Sequence, residues 1–455
     1  MDRKAIVITA IAFLISVSYL WFGKLSYIES FYFLIMSLAQ NSYSLDHQAW
    51  IDLMAKTENL LIIQDLDGVC MELVQDPLTR TMDRKYVEAT TAFRDHFFVL
   101  TNGEHIGKRG VKGIVERTFE DPELVKEQGF YLPGLAGGGV QWQDCYGNVS
   151  HPGVSEAELA FLAAVPQRIE NSLRSFFAEH SHNLTSEELD RCIQATILDN
   201  KVSPTINLNI FYAALKSDRL YLQLQQAMKE FTDRLLVESA DQGLAGSFFV
   251  HFAPNLGRDA QGQEIIQYAA ENSSGTTDLQ FMLRGAIKGA GVLFILNHYY
   301  YLKTGSYPLG QDFNSRQAPH SLKELLELVQ ANFDPEQMPI IIGVGDTVTS
   351  QALEHNGQLI FQRGGSDRGF LELVQALGRE FETDNLVVYV DSSAGELKNR
   401  QALQLNADCS QVISGIGDPR DVEDPLTVNL AFPGGYQQYT QAFKAAAIAK
   451  TTNRN

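Results

Sequence analysis

The sequence predicts an α/β fold: a doubly wound (Rossmann-like) parallel-sheet core with an inserted α+β cap module. Three observations carry this. First, four apolar runs each end in a polar turn. Leu60–Ile63 leads into Gln64-Asp65-Leu66-Asp67-Gly68, Phe97–Leu100 into Thr101-Asn102-Gly103, Pro339–Val344 into Gly345-Asp346, and Leu386–Val390 into Asp391. Runs of this kind suit strands buried on both faces, with functional loops at their carboxyl ends. Second, helical patterns such as Leu322–Ala331 and Phe370–Phe381 lie between the runs, and strands alternating with helices argue for a parallel sheet. Third, the chain has 455 residues, whereas a single core stops growing near ~250–300 residues, so more than one module is expected.

Along the chain, residues 1–45 are an apolar, aromatic extension. Within it Ala5–Phe22 carries no charge over 18 residues. As a helix this stretch would span about 27 Å, just short of the ~30 Å hydrocarbon core. It reads as a membrane anchor, an uncleaved signal sequence or translated upstream sequence. Residues 46–139 form the first part of the core, opening with an amphipathic helix and closing at the Gly134–Gly139 loop signal. Residues 140–280 read as the inserted cap, with helices over 155–180 and 217–238 and strands over Thr205–Tyr212 and Ser247–Phe252. Residues 281–455 complete the core and end in a less regular, turn-rich tail after about 395.

Composition narrows the function. There are 36 Lys+Arg against 55 Asp+Glu, a formal net charge of −19, with 45% apolar and 20% charged residues. That describes a globular protein and excludes disorder. The acidic balance argues against nucleic-acid binding, which needs a basic footprint. Cys70, Cys145, Cys192 and Cys409 are dispersed and form no CxxC pair, so neither a disulfide framework nor a zinc site is expected. Such thiols suit a cytoplasmic location; inner-membrane anchoring by residues 5–22 is the alternative.

The strand ends carry the chemistry. Asp65 and Asp67 sit two residues apart where alternation breaks, so both can approach one site. One carboxylate can attack phosphorus and a second can protonate the leaving oxygen, then activate water. Gly68 permits a sharp turn. Thr101 can hydrogen-bond a phosphate oxygen, and Asn102 and Gly103 add a polar group and an adaptable backbone. Lys288 opens an apolar helix, from which a cation can bridge nucleophile and phosphate. Asp346, Asp65 and the backbone carbonyl of Asp67 would supply oxygen ligands for Mg2+. Glu104 and Arg109 follow Thr101 closely: Arg109, or Lys108, can neutralise phosphate, and Glu104 can meet sugar hydroxyls. Taken singly, each residue also has a commoner role as a turn former, helix cap or surface charge.

In this order the four motifs resemble the haloacid dehalogenase-type phosphatase superfamily. The 187 residues from Thr101 to Lys288 fit a large cap between the second and third motifs, as in trehalose-phosphate and sucrose-phosphate phosphatases. Gln64–Leu73, Val99–Gly110 and the Pro433-Gly434-Gly435-Tyr436 tail are most similar to cyanobacterial glucosylglycerol-phosphate phosphatases, from about Ser44 onward. The resemblance implies Mg2+-dependent hydrolysis of glucosylglycerol 3-phosphate to glucosylglycerol, a compatible solute for salt tolerance. It makes Asp65 the nucleophile and Asp67 the acid/base, with Thr101 and Lys288 on phosphate and Asp346 on Mg2+. It implies a small sugar-phosphate substrate and an upstream synthase as candidate partner. Residues 1–35 then read as an upstream extension or an add-on dispensable for catalysis.

Two departures stand out. Residues Thr347, Val348, Thr349 and Ser350 offer no second acid beside Asp346, so a hydroxyl or water is expected to serve. Asp418, in a similar Gly-Asp context, is a rival for the metal, and Asp391 also ends an apolar run. For the sugar, His251, Asn255 and Arg258 are candidates by composition. Two other functions stay open: a trehalose- or sucrose-phosphate phosphatase, and a non-catalytic phosphatase-like binding protein.

Overall fold

The computed structural model describes residues 38–74, 77–253, 264–270, 273–355, 358–397 and 400–454. The expected extension over residues 1–35, with its candidate anchor over 5–22, lies outside them. Among the described residues no helix is long and apolar enough to cross a membrane.

The strands are β1 (Leu60–Gln64), β2 (Phe97–Leu100), β3 (Gly134–Ala136), β4 (Gln141–Gln143), β5 (Val149–Ser150), β6 (Ile197–Leu198), β7 (Thr205–Asn207) and β8 (Phe248–Ala253). They continue as β9 (Asp278–Leu283), β10 (Ile340–Gly345), β11 (Thr349–His355), β12 (Gln358–Gly364), β13 (Leu386–Val390), β14 (Gln404–Leu405), β15 (Val412–Ser414) and β16 (Leu430–Phe432). The large sheet runs β16-β13-β10-β1-β2-β3-β4-β5. It is parallel from β16 to β3 and antiparallel over its last two pairings.

The central strands are buried on both faces because helices cover both. Leu60 and Ile62 of β1 pack with the helices His47–Lys56, Arg84–Thr90 and Gly435–Arg454. Leu61 and Ile63 pack on the other side with Lys288–Thr304, Leu322–Asn332 and Arg368–Glu380. Alternate residues of one strand thus serve two cores, which is why each run reads as continuously apolar. Truncating any of these four fully buried side chains to Ala would cost about 2–5 kcal/mol.

Sequence and structure differ at four places. Gly134 opens a strand, not a loop, because a Cβ there would lie 2.1 Å from the Val99 carbonyl oxygen, so glycine is needed for backbone approach. β4 and β5, inside the 140–280 span expected for the cap, pair with the core sheet. The expected strand Thr205–Tyr212 stops at Asn207, whose side-chain oxygen accepts from the Asn209 N–H (3.1 Å) and turns the chain into the short helix Asn209–Ala214. The irregular tail closes with β16 and the helix Gly435–Arg454, whose Tyr439, Phe443 and Ala446 complete one core.

The cap is a four-stranded antiparallel sheet, β6-β7-β9-β8, under the helices Glu156–Glu179, Ser186–Thr196 and Asp218–Ser239. Ile206, Leu279, Phe281 and Phe248 join these helices in a separate core. By register, Thr205, Asn207, Asp278, Gln280 and His251 take the other face.

Arg316 fastens both chain crossings between core and cap. Its guanidinium donates to the Gly153 carbonyl (2.6 Å) at the entry and the Arg284 carbonyl (2.9 Å) at the exit. It also grips Glu158, in the first turn of the cap's first helix, at 2.8 and 3.1 Å.

Candidate active site

Parallel register assembles the site. Gln64 pairs with Val344, and the Asp65 N–H donates to the Val344 carbonyl (2.9 Å). Asp65 and Asp346 therefore emerge side by side at the carboxyl ends of β1 and β10. Thr101 emerges from β2 on the opposite flank of β1. Gln64 anchors the end of β1: its Oε1 accepts from Tyr86 (2.9 Å) and Tyr439 (2.7 Å), so a buried amide is satisfied from two helices.

Lys288, at the start of its helix, lies 3.0 Å from Asp65 Oδ2 and 2.6 Å from Asp367 Oδ1. Asp65, Asp346 and Asp367 are all buried, and their oxygens come within 4.8 Å of one another. One lysine does not balance three buried carboxylates. Burial, with the neighbouring acids Asp367, Asp346 and Asp67, pushes the Asp65 carboxyl up to about 8 against the pull of Lys288. Burial, reinforced by Asp367, pushes Asp346 up to about 6. Asp367 and Asp65 together overcome the opposing effect of burial and hold Lys288 above its ordinary range. Burial raises the Asp67 carboxyl also, and the Arg80 guanidinium 2.7 Å away opposes that rise.

Mg2+ fits these residues. Asp65 Oδ1 and Asp346 Oδ2 are buried without a hydrogen-bond donor. Gly68, at φ 78°, leaves room beside them: a Cβ there would lie 2.3 Å from Asp346 Oδ2. Hard carboxylate oxygens, an excess of negative charge and open space suit a small divalent cation. Asp65 and Asp346 are its candidate ligands, with the expected Asp67 carbonyl; the Asp67 side chain points to Arg80 instead.

A further buried acid, Asp367, reaches Asp346 from outside the 347–350 stretch. The chain leaves Asp346, runs out along β11 and back along β12, and returns 21 residues later. Asp367 Oδ2 then accepts the N–H groups of Asp346 (2.9 Å) and Thr347 (3.0 Å), while Oδ1 takes Lys288. Both oxygens thus have protein donors, so Asp367 organises Lys288 and the Asp346 turn. Beside Asp346 itself, the Thr347 hydroxyl donates to Asp346 Oδ1 (2.6 Å).

Other candidates fall in different places. Thr101 is buried, and its Oγ1 accepts from the Gly103 N–H (3.2 Å), leaving its hydrogen to donate. Asn102 is exposed and Gly103 half-buried. Glu104 is not open to a sugar here. Its carboxylate accepts from the cap at Lys201 N (2.8 Å), Val202 N (3.1 Å) and Ser203 Oγ (2.7 Å), and from Gln141 (3.1 Å), so it bonds cap to core. Arg109 offsets part of the rise that burial gives Asp278 on the polar face of the cap. His251 on that face pairs with Glu264 (2.8 Å). Asn255 and Arg258 lie outside the described residues. Asp418 is engaged with Arg420 (2.6 Å), outside the acid cluster, and Asp391 accepts the N–H groups of Ser393 and Leu403 (2.9 and 2.8 Å).

Sequence reasoning passed over Arg80, Arg400 and Asp367. Arg80 and Arg400 stand in irregular segments, and Arg400 Nε lies 3.8 Å from Asp346 Oδ2. Asp367 had a readable signal: Asn356-Gly357 between two alternating runs marks a hairpin that brings its ends together.

Comparison with known proteins gives a consistent family. The family described as glucosylglycerol-phosphate phosphatase matches residues 59–447. The chain is similar to a glucosylglycerol-phosphate phosphatase of Synechocystis sp., at 59% identity over 415 residues, covering 90% of this chain and 98% of that protein. Two solved structures overlap loosely. The C-terminal domain of C. albicans trehalose-6-phosphate phosphatase has a TM-score of 0.38 at 11% identity, over 89% of this chain and 98% of that one. The C-terminal domain of the Candida albicans trehalose synthase regulatory protein has a TM-score of 0.39 at 11% identity, over 89% and 99%.

Proposed function

The chain belongs to the glucosylglycerol-phosphate phosphatase family, and we propose that it hydrolyses glucosylglycerol 3-phosphate to glucosylglycerol and phosphate with Mg2+ through an aspartyl-phosphate. The observation that carries this is the state of Asp65: buried at a strand end, held by Lys288 through Oδ2, with Oδ1 undonated.

In this reading Asp65 Oδ1 attacks phosphorus and the bond to the leaving alcohol breaks. Asp67, whose carboxyl burial raises, protonates that alcohol. Asp67 then takes a proton from the water that opens the acyl phosphate. Lys288 and the Thr101 hydroxyl meet the charge on the phosphoryl oxygens. Mg2+, held by Asp65, Asp346 and the Asp67 carbonyl, would neutralise phosphate charge. Asp367 holds Lys288 in place. The cap, bonded through Glu104, excludes bulk water and presents its polar sheet face to the sugar. The enzyme would act in the cytoplasm on the product of an upstream synthase.

Phosphate release over a panel of sugar phosphates, with Mg2+ or with a chelator, tests the proposal. Glucosylglycerol 3-phosphate should be the preferred substrate, and the chelator should abolish turnover. Preference for trehalose 6-phosphate or sucrose 6-phosphate would reassign the substrate, and no turnover on any ester would leave a binding protein.

A further inference from the structure

The ribbon β11–β12 poses a mechanical problem. It separates Asp346 from Asp367, and a two-stranded ribbon alone is marginally stable. Its outer part is exposed: Leu353, Leu359 and Ile360 keep nearly half their surface in water. Yet Asp367 must return to within hydrogen-bond reach of Lys288 and of two backbone amides. A loose base would misplace all three contacts.

The base is clamped by one loop, residues 416–424, and by two acids. Asp421, itself buried, accepts from Ser350 Oγ on β11 and from Arg363 on β12 through Nε (2.9 Å) and Nη2 (2.6 Å), so one carboxylate ties both strands. Asp424 accepts from Arg368, the neighbour of Asp367, through Nη1 (2.9 Å) and Nη2 (2.6 Å). Arg368 Nη2 also donates to the Thr349 carbonyl at the foot of β11 (3.3 Å). The Asp418 N–H donates to the Ser350 carbonyl (3.2 Å), and the Asp367 N–H to the Thr347 carbonyl (3.1 Å). Two bidentate arginine–carboxylate pairs thus bracket Asp367, and bidentate pairs fix geometry as well as distance.

We infer that Asp424 and Asp421 are positioning residues for the reaction: through Arg368 and Arg363 they set where Asp367 re-enters the site, and so fix Lys288 and the Asp346 turn. The inference rests on the function proposed above for its kinetic readout, but not for its metal-binding readout. Neither acid touches the reacting atoms. Their effect passes through the ribbon base, which makes the loop 416–424 part of the active-site support although it lies 70 residues beyond Asp346 in sequence.

The test uses the full chain with Asp424→Asn, and Mn2+ as a paramagnetic probe titrated without substrate. Losing a partner behind a metal ligand or catalytic group costs about 10–100-fold in affinity or activity. Asp424→Asn should lower kcat by about tenfold or more with KM nearly unchanged, and weaken Mn2+ binding by a similar factor. Asp424→Glu, which keeps the carboxylate, should recover most of both. If Asp424→Asn fails to fold, Arg368→Lys keeps the charge, removes the fork and reads the same two quantities. A variant with lowered thermal stability but wild-type Mn2+ affinity and kcat would overturn the inference. Mn2+ binding is read apart from turnover, so a failed phosphatase assignment would show as an inactive wild type that still binds the ion.

Discussion

Asp65 and Glu158 are both buried acids, yet their surroundings drive them in opposite directions. Asp65 shares Lys288 with Asp367, lies beside Asp346, keeps one oxygen undonated, and is pushed up to about 8, chiefly by burial. Glu158, at the seam between core and cap, is raised by burial also, but Arg316 and its own N-cap partner Ser155 outweigh this and bring it down to about 2. The satisfied acid holds two modules together. The unsatisfied one is where the proposed mechanism needs phosphate and a cation.

The largest break in this contrast is at the unsatisfied end. Asp65→Asn should abolish phosphate release while the protein stays folded, measured as turnover beside a thermal melt. Lys288→Ala should lower kcat by about 10²–10³-fold, the scale of losing one donor to developing charge.

At the satisfied end Arg316→Ala should act on stability and substrate affinity more than on the chemical step. It strands Glu158 and should cost about 3 kcal/mol, the scale of a broken buried pair. KM should rise more than kcat falls, because the cap loses the residue that fastens both of its crossings.

The two acids also predict opposite pH signatures of stability. The folded value of Asp65 lies above its ordinary 3.8, so its contribution is fully present below that pH and is lost as pH rises through about 8. Metal-free Asp65→Asn should therefore gain on wild type in melting temperature toward pH 8, and Mg2+ should erase the gain. The folded value of Glu158 lies below its ordinary 4.5, so its contribution is present above that pH and is lost as pH falls through about 2. The acid limb of the wild-type melt should flatten in Arg316→Ala. Gly68→Ala would set a Cβ 2.3 Å from Asp346 Oδ2 at a positive φ, and should raise the Mg2+ requirement while leaving the substrate preference unchanged.

The sequence made one of these regions far more legible than the other. Asp65, Thr101, Lys288 and Asp346 were readable because each sits at the end or start of a regular element, where apolar periodicity gives way to a polar residue. Asp367 was passed over because it lies 21 positions beyond Asp346, and only the Asn356-Gly357 turn signal, not any local spacing, hints at its return. Arg80 was hidden for a related reason: it reaches Asp67 from an irregular loop. The seam was hidden, since Arg316 meets Glu158, and Glu104 meets Lys201, Val202 and Ser203, across separations that no local spacing marks.

The proposed chemistry starts at Asp65 as the nucleophile. The direct test is rapid acid quench of the protein turning over glucosylglycerol 3-phosphate labelled in its phosphate, followed by peptide mapping. The account predicts transient label on the peptide holding Asp65, labile to hydroxylamine and absent in Asp65→Asn. Undiminished turnover in Asp65→Asn, or label confined to another residue, would contradict it.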